Sequence, residues 1–125
     1  MNRRLFVLAA FALAGCASLP AAKIDAPAGA GFEELESLYL ARADRTALTI
    51  RVSSNGCTQK SDFAFFVQRQ GGDVRLAFGR RKLDTCKSFA AGHADLAFTW
   101  AELGVAPQTP IFLLNPLVAW SGPGP

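Results

Sequence analysis

The chain has 125 residues, and its 13 basic residues exceed its 10 acidic ones by a net charge of +3. This length suits one small domain with a single modest core. Arg3 and Arg4 carry two of the three excess charges, so the rest of the chain is close to neutral. A near-neutral domain lacks the basic surface that nucleic-acid binding requires, and we expect no nucleic-acid partner.

The N-terminus has the order of features found in a secretory signal. Arg3 and Arg4 precede an uncharged apolar run from Leu5 to Leu13. That run is too short to span a bilayer, which needs about 20 residues, and small residues follow it. We therefore predict that residues 1–15 are a cleaved signal peptide. The stretch from Asn2 to Val7 also partly resembles a twin-arginine signal, which leaves the choice between that route and Sec export open.

The sequence Leu13-Ala14-Gly15-Cys16 resembles the lipobox of bacterial lipoproteins. The resemblance implies lipidation of the Cys16 thiol, cleavage before Cys16 and acylation of the new amine. More than one acyl chain gives stable membrane anchoring. In such lipoproteins an Asp after the lipidated cysteine causes retention in the inner membrane. Ala17 at that position therefore implies the periplasmic face of the outer membrane.

The segment that follows is poor in residues that form a core. Residues 17–31 are mainly Ala, Pro and Gly, with Lys23 and Asp25 as the charged residues. Such a composition predicts a flexible tether over residues 16–31, with a typical reach of about 20 Å. Residues 32–125 then form a single β domain.

The start of that domain can be interpreted in two ways. Between Phe32 and Ala41 the apolar residues fit a helical stripe, but Leu38 and Leu40 also fit a strand that turns at residues 42–45. We favour the strand, in a hairpin with the alternating run Leu48–Val52, whose even-numbered residues face the core.

A second hairpin is predicted between Asp62–Arg69 and Asp73–Arg80, because Gly71 and Gly72 between them suit a two-residue turn. With that turn, the numbers of paired residues sum to 143. One face is then apolar and the other mainly polar, and a slip of one residue would destroy this separation. The apolar face consists of Phe63, Phe65, Val67, Val74, Leu76 and Phe78.

The residue numbers of the other two cysteines, Cys57 and Cys86, also sum to 143, so the hairpin register places them opposite each other. A cysteine pair in an oxidising compartment predicts a disulfide, and closing a loop of about 30 residues stabilises by roughly 3–4 kcal/mol. A metal site using His93 and Asp95 as further ligands is the alternative. No CxxC or HxxxH spacing supports it, and we expect no metal.

The remaining elements complete an all-β prediction. Ala94–Phe98 alternates as a strand, and Thr99 with Glu102 forms a capping box over one helical turn that ends at Gly104. The apolar run Ile111–Trp120, interrupted at Asn115-Pro116, predicts one or two core strands. The fold class is therefore a small, disulfide-bonded antiparallel sandwich or barrel of about six or seven strands.

Three segments, Asn55–Thr58, Lys60–Phe63 and Asp84–Cys86, resemble small uncharacterised lipoproteins of Gram-negative bacteria. The resemblance implies no activity, and it favours the disulfide.

Residues suited to catalysis are few. His93 and Asp95 have the strand parity that points to solvent, and the sequence has no nucleophile elbow around a serine that would join them. We expect neither an enzyme nor a cofactor.

The sequence instead predicts a lipid-anchored module that contacts an envelope protein. Its candidate contacts are Phe66, on the polar face of its strand, and the aromatic residues Trp100 and Trp120, since aromatic residues concentrate in interfaces. The alternative is a small inhibitor or ligand-binding lipoprotein that acts through the basic run Arg80, Arg81 and Lys82.

Overall fold

The computed structural model describes residues 23–122. The predicted signal peptide, Cys16 and residues 17–22 of the predicted tether lie outside the described residues. Within residues 23–122 the secondary structure comprises six strands, a 3₁₀ turn at Lys60–Asp62 and one short helix, α1, at Trp100–Leu103. The strands are β1 Leu40–Ala43, β2 Ala47–Ser54, β3 Phe63–Gln70, β4 Asp73–Arg80, β5 Gly92–Thr99 and β6 Ile111–Leu113.

The six strands form two three-stranded sheets, in the orders β1-β2-β5 and β3-β4-β6. The inner faces of the sheets bury one hydrophobic core, in which the rings of Phe78 and Phe98 lie 4.8 Å apart. The predicted all-β class is confirmed, and the arrangement is sandwich-like. The largest fully buried side chains are those of Phe78, Leu38, Ile50, Leu76 and Val52.

One pair of strands differs from the antiparallel prediction, because β6 runs parallel to β4. β5 leads to the end of the second sheet where β4 begins, because the Arg69 side chain donates to the Gly104 carbonyl and the Val74 N–H donates to the Pro110 carbonyl at 3.1 Å. The short helix α1 and the loop after it keep the chain at that end. β6 therefore starts beside the first residues of β4 and runs in the same direction.

The strand interpretation of the first hairpin is correct from Leu40 onward. β1 pairs with β2 from Leu40↔Arg51 to Ala43↔Leu48, and no residue of 32–39 is helical. The turn lies slightly later than predicted because Asp44 organises it. Its carboxylate accepts hydrogen bonds from the backbone N–H groups of Thr46 (2.7 Å) and Ala47 (2.9 Å).

The second hairpin has the predicted register. Its pairs run from Phe63↔Arg80 to Gln70↔Asp73, and every pair sums to 143. Gly71 has φ +58°, the left-handed conformation that the tight turn requires. The two-residue turn therefore fixes the register of all eight pairs.

The predicted capping box is also present. The Thr99 hydroxyl accepts a hydrogen bond from the Glu102 backbone N–H (3.1 Å), and the Glu102 carboxylate accepts one from the Thr99 N–H (2.7 Å). Gly104 ends the turn in the left-handed conformation, with φ +67°. Trp100, predicted as a candidate contact, is buried, and its indole N–H donates to the Asp44 carbonyl at 3.0 Å.

The C-terminal run is less buried than a core strand. β6 has three residues, and Phe112 in its middle is 56% exposed. Leu117 is also exposed, although Leu38 and Leu117 form an isolated parallel bridge. The expectation of one or two core strands over Ile111–Trp120 is thus wrong in this detail, because the middle residue of β6 points away from the core.

Part of the predicted tether makes backbone contacts with the domain. The Ala26 N–H donates to the Glu33 carbonyl, and the Leu35 N–H donates to the Ile24 carbonyl, both at 2.9 Å. The flexibility of residues 16–31 as a whole stays a prediction.

Candidate functional site

The end of the sandwich that carries the cysteines is held by a disulfide and by side-chain hydrogen bonds. Cys57 and Cys86 form the predicted disulfide, with their Cα atoms 5.7 Å apart. It joins the loop after β2 to the loop between β4 and β5. We call this region the disulfide end.

The half-buried side chain of Asp84 accepts several hydrogen bonds that reinforce the disulfide. Its carboxylate accepts hydrogen bonds across the two loops and within its own loop. The donors are the Thr58 hydroxyl (2.7 Å), the Ser54 hydroxyl (3.2 Å) and the backbone N–H groups of Asn55 (2.7 Å), Cys57 (3.0 Å) and Cys86 (3.0 Å).

These bonds decide the ionisation of Asp84. Partial desolvation alone would raise the pKa of the carboxyl. The hydrogen bonds from Thr58, Cys57, Cys86 and Asn55 outweigh that effect and hold the pKa of Asp84 far below its ordinary value. The carboxylate is therefore ionised at neutral pH and fully engaged in holding the loops.

Asp84 also lies within metal-binding distance of the two cysteines. One ligand atom from each of Cys57, Asp84 and Cys86 lies within 4.8 Å of the others. Because the two sulfur atoms are bonded to each other, neither is a thiolate, which is the form that binds metal. The group therefore acts as a structural cross-link.

The basic run at the end of β4 is divided between two environments. The Arg80 side chain is only 11% exposed and forms an ion pair with Glu36 at 3.1 Å. It also donates to the Ser53 carbonyl at 2.7 Å and lies over the Phe63 ring. Arg81 and Lys82 are exposed. Of the predicted contact residues Arg80, Arg81 and Lys82, only the last two are thus available to a partner.

Two exposed apolar side chains in the same loop were not singled out by the sequence. Leu83 is 77% exposed, and Phe89 is 111% exposed relative to its reference state. In the sequence, neither belongs to an alternating run whose parity would show its orientation. The one indication of their exposure in the sequence is that both lie close to basic residues.

The outer face of the second sheet carries a second apolar surface. Phe66, predicted to be a contact, is half-buried and lies directly opposite Ala77. On the other side of β4, Arg75 is paired with the exposed Phe112. Residues 75 and 77 share a face of β4, so Phe66 and Phe112 flank one surface, the Phe66–Phe112 face. The apolar run Ile111–Trp120 predicts a core position for Phe112, because the alternation of a three-residue strand is too short to assign its two faces.

The environment of His93, the only histidine in the sequence, is aromatic. The His93 ring packs edge-on against Trp120 at 5.2 Å and is half-buried. The Asp95 carboxylate instead accepts two hydrogen bonds from Arg51, at 2.7 and 3.0 Å, which hold the pKa of Asp95 below its ordinary value. The Ser88 hydroxyl donates to the Ala90 carbonyl at 2.5 Å. Within residues 23–122, no hydrogen bond joins the side chains of Ser88, His93 and Asp95 to one another.

Comparison of the chain with protein-family models, with curated proteins and with solved structures finds no match. Over residues 23–122, no helix is both long and apolar enough to cross a bilayer.

Proposed function

We propose that this protein is a lipid-anchored, periplasm-facing envelope protein that acts by non-catalytic contact with another envelope protein. The lipobox-like sequence ending at Cys16 supports the anchor. The Cys57–Cys86 disulfide suits an oxidising compartment such as the periplasm.

The observation that carries the proposal is the exposure of Phe112 on β6, with Phe66 on the same face of the sheet across β4. Sheet faces that meet only water usually carry polar side chains, whereas interface centres are enriched in aromatic residues and arginine. Arg75 lies directly beside Phe112. Among residues 23–122, no ion pair or side-chain hydrogen bond occupies the Arg75 guanidinium.

These features define the partner by its chemistry. An apolar surface would cover Phe66 and Phe112, and a carboxylate at its edge would pair with Arg75. Such an ion pair, made at the border of an apolar contact, contributes more to specificity than to affinity.

Site-specific photo-crosslinking in intact cells tests the proposal. A benzophenone-bearing amino acid is placed at position 66 or 112 of the full chain, and at position 97 as a matched control. Ala97 is exposed on the outer side of β5, in the other sheet. We expect the same protein adduct from positions 66 and 112 and none from position 97.

A second test of the same contact changes the charge of Arg75. We expect Arg75→Glu to reduce the adduct from position 112 by about ten-fold, because a carboxylate on the partner would then face a like charge. Equal adducts from positions 66, 97 and 112, or no adduct from either face position, would contradict the proposed contact.

A further inference from the structure

The loop between β4 and β5 exposes apolar and basic side chains together. Leu83 and Phe89 are its two large exposed apolar residues. Arg81, Lys82 and Lys87 are exposed in the same loop. We call residues 81–89 the docking loop.

The free charge of the docking loop is positive. Among residues 23–122, no ion pair engages Arg81, Lys82 or Lys87. Asp84 is the acidic residue of this loop, and its carboxylate is directed at backbone and hydroxyl donors. Three cations and two apolar side chains therefore remain for an external surface.

The start of the described chain lies on the same side as this loop. Lys23 forms an ion pair with Glu34 at 3.5 Å. Glu34, Arg81 and Leu83 line one surface cleft of 540 Å³. Cys16 precedes Lys23 by seven residues, which span at most about 25 Å even when fully extended. A lipid on Cys16 would hold the docking loop near a bilayer.

We propose that the docking loop binds the surface of a bilayer that contains anionic phospholipid. Leu83 and Phe89 enter the interfacial region, where apolar and aromatic side chains are favoured. Arg81, Lys82 and Lys87 meet the phosphate groups, to which basic residues are drawn electrostatically. This inference rests on the proposed lipid anchor, which would hold the docking loop close to the bilayer.

Lipid is favoured over an acidic protein by the form of the loop. Phe89 protrudes fully, whereas an aromatic hot spot for a protein is usually set in a well-packed patch. The disulfide and the Asp84 bonds hold the middle of the loop, so less conformational entropy is lost on docking.

The docked orientation agrees with the proposed protein contact. The docking loop lies at the disulfide end, where β4 finishes at Arg80. Phe112 is paired with Arg75, near the beginning of β4. Binding of the loop to a bilayer therefore leaves the far part of the Phe66–Phe112 face accessible.

The test uses the full lipidated protein reconstituted into vesicles of phosphatidylcholine, with or without phosphatidylglycerol. A benzophenone-bearing amino acid replaces Phe89, and position 97 is the control. We expect lipid adducts from position 89 in the anionic vesicles and none from position 97. The combination Arg81→Glu, Lys82→Glu and Lys87→Glu should reduce the adduct at least about ten-fold, since each basic residue near an anionic bilayer strengthens binding about five-fold.

The outcomes separate the two proposals. Protein that floats with the vesicles but gives no lipid adduct from position 89, or an adduct that survives charge reversal, overturns the docking loop and leaves the anchor intact. Protein that neither floats nor forms the adduct contradicts both. A protein adduct from position 89 in intact cells, in place of a lipid adduct, would assign the loop to an acidic protein partner and overturn the inference.

Discussion

At the residue scale, Asp84 is the side chain on which the disulfide end depends most. A carboxylate that accepts several hydrogen bonds satisfies backbone N–H groups in loops that have no strand partner. The disulfide joins the same loops at one covalent point, whereas Asp84 orients them. Stability should therefore depend on the ionisation of this one group.

The sign of that dependence follows from linkage. The folded state lowers the pKa of Asp84 below the unfolded value of about 3.9. Its stabilising contribution is therefore complete above that unfolded value and is lost as the pH falls towards the folded one. We expect the difference in unfolding free energy between the wild type and Asp84→Asn to be constant above about pH 5 and to shrink below about pH 4. Urea unfolding at a series of pH values measures it.

Asp73→Asn is the matched control, because Asp73 is exposed and, within residues 23–122, its carboxylate has no hydrogen-bond donor. Its unfolding curve should follow the wild type at every pH. Hydrogen bonds also lower the pKa of Asp44, Asp95 and Glu102, so all three proteins lose stability in acid. A difference between wild type and Asp84→Asn that does not change with pH would refute the role of the charge.

At the scale of elements, Asn115 continues the second sheet where β6 ends. Its side-chain amide accepts from the Phe78 N–H at 2.8 Å and donates to the Phe78 carbonyl at 2.7 Å. It also donates to the Glu36 carbonyl at 2.8 Å. One buried amide thus takes the place of a strand backbone and joins the 32–39 segment to β4.

We expect Asn115→Ala to destabilise the protein by about 2–4 kcal/mol, because each buried polar group left without a partner costs roughly 1–3 kcal/mol. Asn55→Ala is the matched control. Asn55 is exposed and its side chain makes one hydrogen bond, to the Asp84 carbonyl at 3.2 Å, so the loss should stay below about 1 kcal/mol. Chemical unfolding with the disulfide intact measures the unfolding free energy of both variants. Equal losses of stability in the two variants would contradict the bridging role of Asn115.

At the scale of the whole molecule, the two proposed surfaces lie on different parts of the domain. The docking loop is at the disulfide end, and the Phe66–Phe112 face lies on the outside of the second sheet. A protein anchored at one end and bound through one side would hold its partner at a defined height above the bilayer. The height above the bilayer depends on the proposed lipid at Cys16.

The anchor is tested by labelling cells with a radioactive fatty acid. We expect the full chain to be labelled and to begin at Cys16 after maturation, because the lipobox-like sequence ends there. Cys16→Ser should abolish the label, whereas Cys57→Ser, which removes a cysteine outside the lipobox, should retain it. Ala17→Asp should move the protein to the inner membrane. A label that persists in Cys16→Ser would rule out this anchor.

The amino-acid sequence by itself determined the features that depend on neighbours along the chain. Gly71-Gly72 sets the register of β3 and β4, and the same arithmetic predicts the Cys57–Cys86 disulfide. The Thr99–Glu102 capping box likewise depends on groups three residues apart. A two-residue turn leaves one pairing that keeps the apolar residues on one face, so local chemistry is sufficient there.

Only the tertiary structure decided the features that depend on distant segments. The basic run gives no sign that Arg80 is buried against Glu36, because that partner is 44 residues away. The parallel direction of β6, the exposure of Phe112 and the protruding Phe89 depend on how the loops place each segment against the sheets. Burial is set by what packs against a residue. For these positions, the alternation of apolar and polar residues in the sequence does not identify that neighbour.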